Sequence, residues 1–235
     1  MSSRPPDEDE TATKLPRGDE SQRGRPAGAT RKGLETRARI IKGAMDALED
    51  GGMGALTTRR IAESAGVKLA TLHYYFDSKE SLLLAVLEDL IADMDNAYQR
   101  DEPLPENPED RVEALIRASW RYIQHTRSKQ IAQTELTLYA LRTKGSEWLA
   151  ARQYNAYIDF YGHLVFADND QLTGERWRIG RAVARQILIG IDGIILQSYA
   201  LQDQSASNDD VEALIIAMRG YLRRMMADSS MAGEG

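Results

Sequence analysis

TTRRIAESAGVKLATLHYYF, residues Thr57 to Phe76, is the stretch from which the fold is read. Its spacing predicts two short helices joined by a tight turn. Thr57 is placed to cap the first, its hydroxyl accepting an otherwise orphaned backbone N–H. Ile61, Ala62 and Ala65 fall at helical spacing and give that helix one apolar face. Gly66 follows where a helix ends in a left-handed residue, a conformation that glycine adopts at least cost. Val67 plugs the corner, and the chain restarts at Lys68. Leu72, Tyr75 and Phe76 form the inward side of the second helix. Lys68, Leu69, Ala70, His73 and Tyr74 are left on its free side or at its mouth. A short helix anchored along one face, with a small or basic opposite face, has the shape to enter a DNA major groove.

The bulk of the chain is consistent with this. At 235 residues and 42% hydrophobic it holds enough apolar material for a proper core in one or two domains. Cysteine is absent, which removes disulfide and thiolate chemistry and fits a reducing compartment. Apolar runs of about 18 residues are missing and the N-terminus has no signal-peptide core, so the expected location is the cytoplasm. Beta-branched alternation is scarce, and the expected class is all-α. A net charge of −6 argues against a DNA partner until its distribution is considered. Between Arg23 and Lys42 seven positive residues face one negative, a local +6, while Ser81 to the end carries −7. Phosphate neutralisation is local, so the basic head matters more than the total.

Along the chain, residues 1–30 are poor in apolar side chains and are expected to be a disordered tail. Within it, Arg23-Gly24-Arg25-Pro26 is similar to the core of an AT-hook, whose arginines enter a narrow minor groove; a plain solvated tail is the competing reading. Helix 1 is expected over 32–49, with Ile41, Ala44, Met45 and Leu48 inward and Gly51-Gly52 ending it. Helix 4 is expected over 78–100, capped by Asp77 or Ser78. DEPLPENP, 101–108, breaks the helical pattern at its prolines. Five further helices are expected near 109–127, 129–142, 147–166, 174–200 and 208–226, with the last residues, from Asp228 on, fraying. Asp209 and Asp210 suit the start of the final helix and Arg223 and Arg224 its end.

With these residues in view, TTRRIAESA followed by GVKLATLHYYFDSKESLL resembles the DNA-binding domain of TetR-family transcriptional regulators, over about 36–90. The resemblance implies an N-terminal three-helix helix-turn-helix domain at 31–80. It also implies a helical ligand-binding and dimerisation domain at 81–228, about nine helices in all, with 229–235 as a loose end. It assigns Thr57, Thr58 and Arg59 to phosphate, Lys68, Leu69 and Ala70 to base edges, and Thr71 to phosphate or a thymine methyl. His73 and Tyr74 would reach the backbone and Lys79 would clamp a phosphate. Two departures stand out. Lys68 replaces the usual Ser or Thr cap, at a cost of about 1 kcal/mol, and the aromatic pair reads His-Tyr where Tyr-His is commoner.

In the body, Trp120, Tyr122, Tyr139, Trp148, Tyr154, Tyr157 and Tyr161 lie among Gln124, Gln133, Thr137 and Asn155. Apolar walls with a few polar groups describe a small-molecule pocket, and an ordinary core with hydroxyls at its rim is the alternative. The family resemblance implies an inducer there, and its expected character is apolar, aromatic or amphiphilic. The candidate ligand contacts are Trp120, Gln124, Gln133, Thr137, Trp148, Tyr154, Tyr157, Tyr161 and Arg185. Asp192 sits inside an apolar run and needs a partner. Arg185, two turns away, is one possibility; pairing within the chain, across subunits or with a ligand all stay open. Gly190 and Gly193 permit close helix approach, and the family dimerises through its last two helices.

Catalytic signatures are missing. The three histidines, His73, His125 and His163, form no metal-binding motif, and there is no G-x-S-x-G or phosphate loop. Neither metal, cofactor nor enzymatic activity is expected. The expectation is a homodimeric repressor that binds operator DNA and releases it when a small molecule binds, with an activator, an architectural DNA binder of the same fold or, least favoured, an all-helical enzyme as alternatives.

Overall fold

The computed structural model describes residues 30–99, 105–166 and 174–232. The arginine-containing tail and the first half of the expected break after helix 4, 101–104, lie outside them. Among the described residues there are nine helices and no strand: α1 (Arg31–Ala55), α2 (Thr58–Ser64), α3 (Leu69–Tyr75), α4 (Lys79–Gln99), α5 (Pro108–His125), α6 (Arg127–Arg142), α7 (Glu147–Phe166), α8 (Gly174–Leu201) and α9 (Gln204–Ala232). None is long and apolar enough to cross a membrane.

Local chemistry explains most of the boundaries. Thr30 caps α1, accepting from the Gly33 N–H at 3.2 Å. Gly52, at φ 66°, breaks the helical path of α1 at the expected Gly51-Gly52 pair, and a last turn continues to Ala55. Ser78 caps α4, in a reciprocal pair with Ser81: each hydroxyl accepts the other residue's N–H, at 3.0 and 3.3 Å. Asn107 caps α5, with Pro108 in the first turn, where its missing N–H costs nothing.

The last helix departs from expectation. It starts at Gln204 because Asp203 accepts the Ala206 N–H at 3.0 Å, directly after Gln202 turns the chain at φ 56°. It runs through Ala232, so 229–232 are helical where fraying was expected. Arg223 and Arg224 therefore lie inside the helix, not at its end. Arg223 makes a two-pronged ion pair with Glu109 of α5, at 3.0 and 2.5 Å.

The cores do not divide at residue 80. One cluster joins Ile40, Leu48, Ile61, Leu72, Phe76, Leu83 and Val86 of α1–α4 to Ala132, Leu136 and Ala140 of α6 and Leu149 of α7. A second joins α5, α7, α8 and α9 around Leu115, Ile116, Val183, Ile187 and Leu222. A small third cluster, Met94, Tyr157, Tyr161, Ala184 and Leu188, lies between α4, α7 and α8. Helix α6 is thus built into the head as well as the body.

Candidate functional site

The turn that positions α3 forms as its sequence requires. Gly66 sits at φ 63°, and the Val67 N–H bonds to the Ala62 carbonyl at 2.9 Å, closing the end of α2. Leu72 and Phe76 are buried and Tyr75 is half-buried against the head core. Lys68 stands at the start of α3 with no side-chain cap, so the loss of the usual Ser or Thr is not compensated. On the opposite flank Lys68, Leu69, Ala70, His73 and Tyr74 are exposed, with Leu69 at 45% and Tyr74 at 68%, and Thr71 is half-buried at the edge. Two large apolar or aromatic side chains thus stand uncovered on a helix of seven residues.

Thr57, Thr58, His73, Ser78 and Lys79 converge on one cleft of about 310 Å³, with Leu72 and Phe76 as its floor. The Thr57 hydroxyl accepts the Arg60 N–H at 3.3 Å and keeps its own proton to donate. The first-turn N–H groups of α2 have no partner within that helix and favour an anion. Arg59 is exposed and paired at 3.0 Å with Glu63, an i,i+4 surface pair that yields readily to a phosphate. Lys79 lies with its ammonium 4.5 Å from the ring centre of Tyr139 on α6. The proposed phosphate clamp thus rests on the body, a contact that no local pattern announces.

A second link joins head and body. Where Gly52 interrupts α1, the freed Met53 N–H donates to the Glu135 carboxylate of α6 at 2.8 Å. A Cβ on Gly52 would fall 2.4 Å from that carboxylate, so any larger residue would have to displace the Glu135 side chain, and the φ of 66° itself favours glycine.

In the body, the sequence-nominated ligand residues fall in separate places. Gln133, Tyr157 and Tyr161 line a small cavity of about 40 Å³ together with Leu90, Met94, Ser119, Tyr122, Gln130, Leu188 and Asp192. Tyr154 reaches Asp192, donating its hydroxyl at 2.9 Å. Thr137 is buried beside them, bonded to Gln153 at 3.0 Å. Trp120 and Gln124 face a different cleft, of about 290 Å³, with Arg127 and Tyr199. Trp148 is 45% exposed over an outer groove between α4 and α7. Arg185 is exposed and lines none of these cavities, because α8 turns it away from its buried face. The Asp192 partner is therefore Tyr154 and not Arg185. Arg181 is engaged elsewhere, with Asp159 and Asn155 of α7.

Sequence reasoning missed Leu90, Met94, Ser119, Gln130 and Leu188. They sit at ordinary core spacing, and nothing local separates a cavity wall from a filled core. Burial pushes the Tyr157 phenol well up, and burial and the neighbouring Asp192 charge push Tyr154 up to about 12, so both are neutral donors. Burial raises the Asp192 carboxyl, against the opposing hydrogen bond from Tyr154. Of the two glycines expected to permit close approach, Gly190 does so: a Cβ there would meet Leu214 of α9 at 2.5 Å, whereas Gly193 faces open space.

A helix-turn-helix with an exposed reading helix on an otherwise all-helical chain defines a class, and the comparisons agree with it. Residues 40–86 match the family model described as bacterial regulatory proteins, tetR family. Over that stretch the chain is similar to the TetR family's DNA-binding region. It is 36% identical to the transcriptional regulator BetI of Rhizobium meliloti (strain 1021) over 36% of this chain and 42% of that one. It is 30% identical to the transcriptional repressor KstR2 of Mycolicibacterium smegmatis over 40% and 46%. The chain thus spans less than half the length of these curated relatives. Among solved structures, a TetR-family member from Streptomyces coelicolor A3 superposes with a TM-score of 0.60 at 25% identity, over 77% of this chain and 96% of that one. The multidrug binding protein EbrR complexed with malachite green gives 0.53 at 25%, over 80% and 96%.

Proposed function

We propose that the protein is a homodimeric transcriptional repressor that leaves its operator when a small molecule occupies the body. The observation that carries this reading is the free flank of α3, exposed from Lys68 to Tyr74 while Leu72 and Phe76 anchor it from behind. That flank enters a major groove, and the cleft of Thr57, Thr58, His73 and Lys79 receives a backbone phosphate at its edge.

The dimer forms through α8 and α9. Ile189, Leu196 and Ile216 stand 58%, 57% and 73% exposed on these helices, apolar surface that a second subunit covers. Two heads then meet half-sites about one helical turn, or a multiple of it, apart. The effector cavity is the one walled by Leu90, Met94, Tyr122, Tyr157 and Tyr161, and its predominantly apolar and aromatic lining selects an aromatic or amphiphilic compound. EbrR, a protein of this fold, binds malachite green, a ligand of that kind. Leu90 and Met94 belong to α4, whose first residue is Lys79, so a ligand that moves α4 changes the placement of the heads. Such a ligand acts only in so far as it binds the two arrangements with different affinity.

The test is a gel shift on duplex from the region flanking the protein's own gene, with and without a panel of aromatic compounds. A retarded band that one compound abolishes supports the proposal. Retardation that no compound alters, at saturating occupancy of the body, favours an architectural DNA binder. Retardation that a compound strengthens, with transcription rising, favours an activator.

A further inference from the structure

We infer that the effector cavity takes a monovalent organic cation, with the Asp192 carboxylate as its counter-ion and the rings of Tyr122, Tyr154 and Tyr157 around it; this rests on the reading of the body as an effector domain. Asp192 lines the cavity from α8, inside an otherwise apolar run, and Tyr154 at 2.9 Å is its hydrogen-bond partner among the described residues. It makes no ion pair among those residues. The basic groups that could have neutralised it point elsewhere: Arg181 to Asp159 and Asn155, Arg185 to solvent.

The other cavity walls are neutral. Ser119, Gln130, Gln133 and the tyrosines supply hydroxyls and amides, and Leu90, Met94, Leu188, Ile191 and Ile195 supply hydrocarbon. Among the described residues that line it, the site carries one negative charge and no positive one; Lys129, within electrostatic reach of Tyr122, is paired with Asp93. An anion entering it meets repulsion with no compensating group, and a neutral compound leaves the carboxylate as poorly matched as before. A cation removes that mismatch, and the negative faces of the tyrosine rings attract it further. The upward displacement of the Asp192 carboxyl by burial agrees with a charge that lacks its counter-ion.

The open space, about 40 Å³, suits a water molecule and not an organic cation. Occupation therefore has to part the helices that wall the cavity: α4 through Leu90 and Met94, α5 through Ser119 and Tyr122, α7 through Tyr157 and Tyr161, and α8 through Leu188 and Asp192. Tyr154, 37% exposed and bonded to the carboxylate, covers Asp192 on the outer side and is the side chain that yields first.

The experiment is calorimetric titration of the full chain with three probes of similar bulk. Malachite green is a delocalised cation, leucomalachite green is its uncharged reduced form, and anilinonaphthalene sulfonate is an anion. The wild type is expected to bind the cation at least about tenfold more tightly than the neutral form, and the anion not measurably. Asp192→Asn keeps the shape and is expected to abolish that preference, while Arg185→Gln leaves it intact. Equal wild-type affinity for cation and neutral form overturns the inference, even if Asp192→Asn fails to fold. So does an Asp192→Asn protein that keeps the preference. Release of operator DNA by a neutral or anionic compound, with malachite green inert, overturns the cation site and leaves the regulator reading standing. Tight, Asp192-dependent binding of malachite green that never alters DNA affinity supports the cation site and counts against ligand-controlled release.

Discussion

The head and the body both place aromatic side chains on short stretches of helix, and they use them in opposite ways. On α3, Tyr74 is 68% exposed with His73 exposed beside it, while on α7 Tyr157 and Tyr161 are 5% and 4% exposed and wall a cavity. In the proposed reading the head meets a large rigid duplex: the flank of α3 faces outward and its fold is braced from behind. The body is suited to enclosing something small, so its contacts face inward onto a small cavity. The two are joined by α6, where Tyr139 carries Lys79 and Glu135 holds the interrupted end of α1.

The difference can be broken most severely from behind α3. Leu72→Ala removes the buried side chain that seats the helix and is expected to destabilise the head by about 2–5 kcal/mol. Urea denaturation followed by circular dichroism measures this, and DNA binding falls with it. Next in size is Lys79→Ala, which weakens binding to every duplex and reduces the slope of log affinity against log salt by about 1. A fluorescence-anisotropy salt series showing an unchanged slope means that the ammonium stays with Tyr139 in the complex and does not reach a phosphate.

Glu135→Gln tests the joint. The Met53 N–H loses a charged acceptor, and a loss of about 1 kcal/mol is expected. If head and body are coupled through α6, this variant also shifts the ligand concentration needed for DNA release; an unchanged midpoint places the coupling in α4 alone.

Asp192→Asn sharpens the contrast by pH. The folded carboxyl is raised above its ordinary 3.8, so the native state holds that proton more tightly than the unfolded chain. Stability from this group is present below the ordinary value and is lost as pH rises through the raised folded value. Melting temperatures measured from pH 4 upward, a lower bound set by the ordinary carboxyl near 3.8, are therefore expected to fall in the wild type relative to Asp192→Asn. The smallest effect is expected from Leu69→Ala, which relaxes base preference and leaves the salt slope unchanged, because an apolar contact releases no counter-ion. Binding to a panel of single-base operator variants measures it.

Much of the head was legible because its signals are local. The Thr57 cap, the left-handed Gly66, the spacing of Ile61, Ala65 and Leu72, and the uncapped Lys68 each involve residues within a few positions of one another, and the structure places each as read. The body was legible only as helices. Gln133, Tyr157 and Tyr161 share a cavity, whereas Trp120, Trp148 and Arg185 were drawn to the same site by composition and lie elsewhere. A wall residue and a core residue have the same spacing on a helix, and only the packing of other helices distinguishes them.

The sequence by itself determined the all-helical class, the turn that frees one flank of α3, and the break at Gly51-Gly52, since propensity, caps and periodicity act over one or two turns. Tertiary structure alone decided that Lys79 leans on Tyr139, that Glu135 receives the Met53 N–H, and that Asp192 faces a tyrosine-lined cavity with Tyr154 and no arginine. The first two contacts join residues 60 and 82 positions apart and the third joins residues 38 apart. At such separations the rotation and crossing of whole helices set which side chains meet.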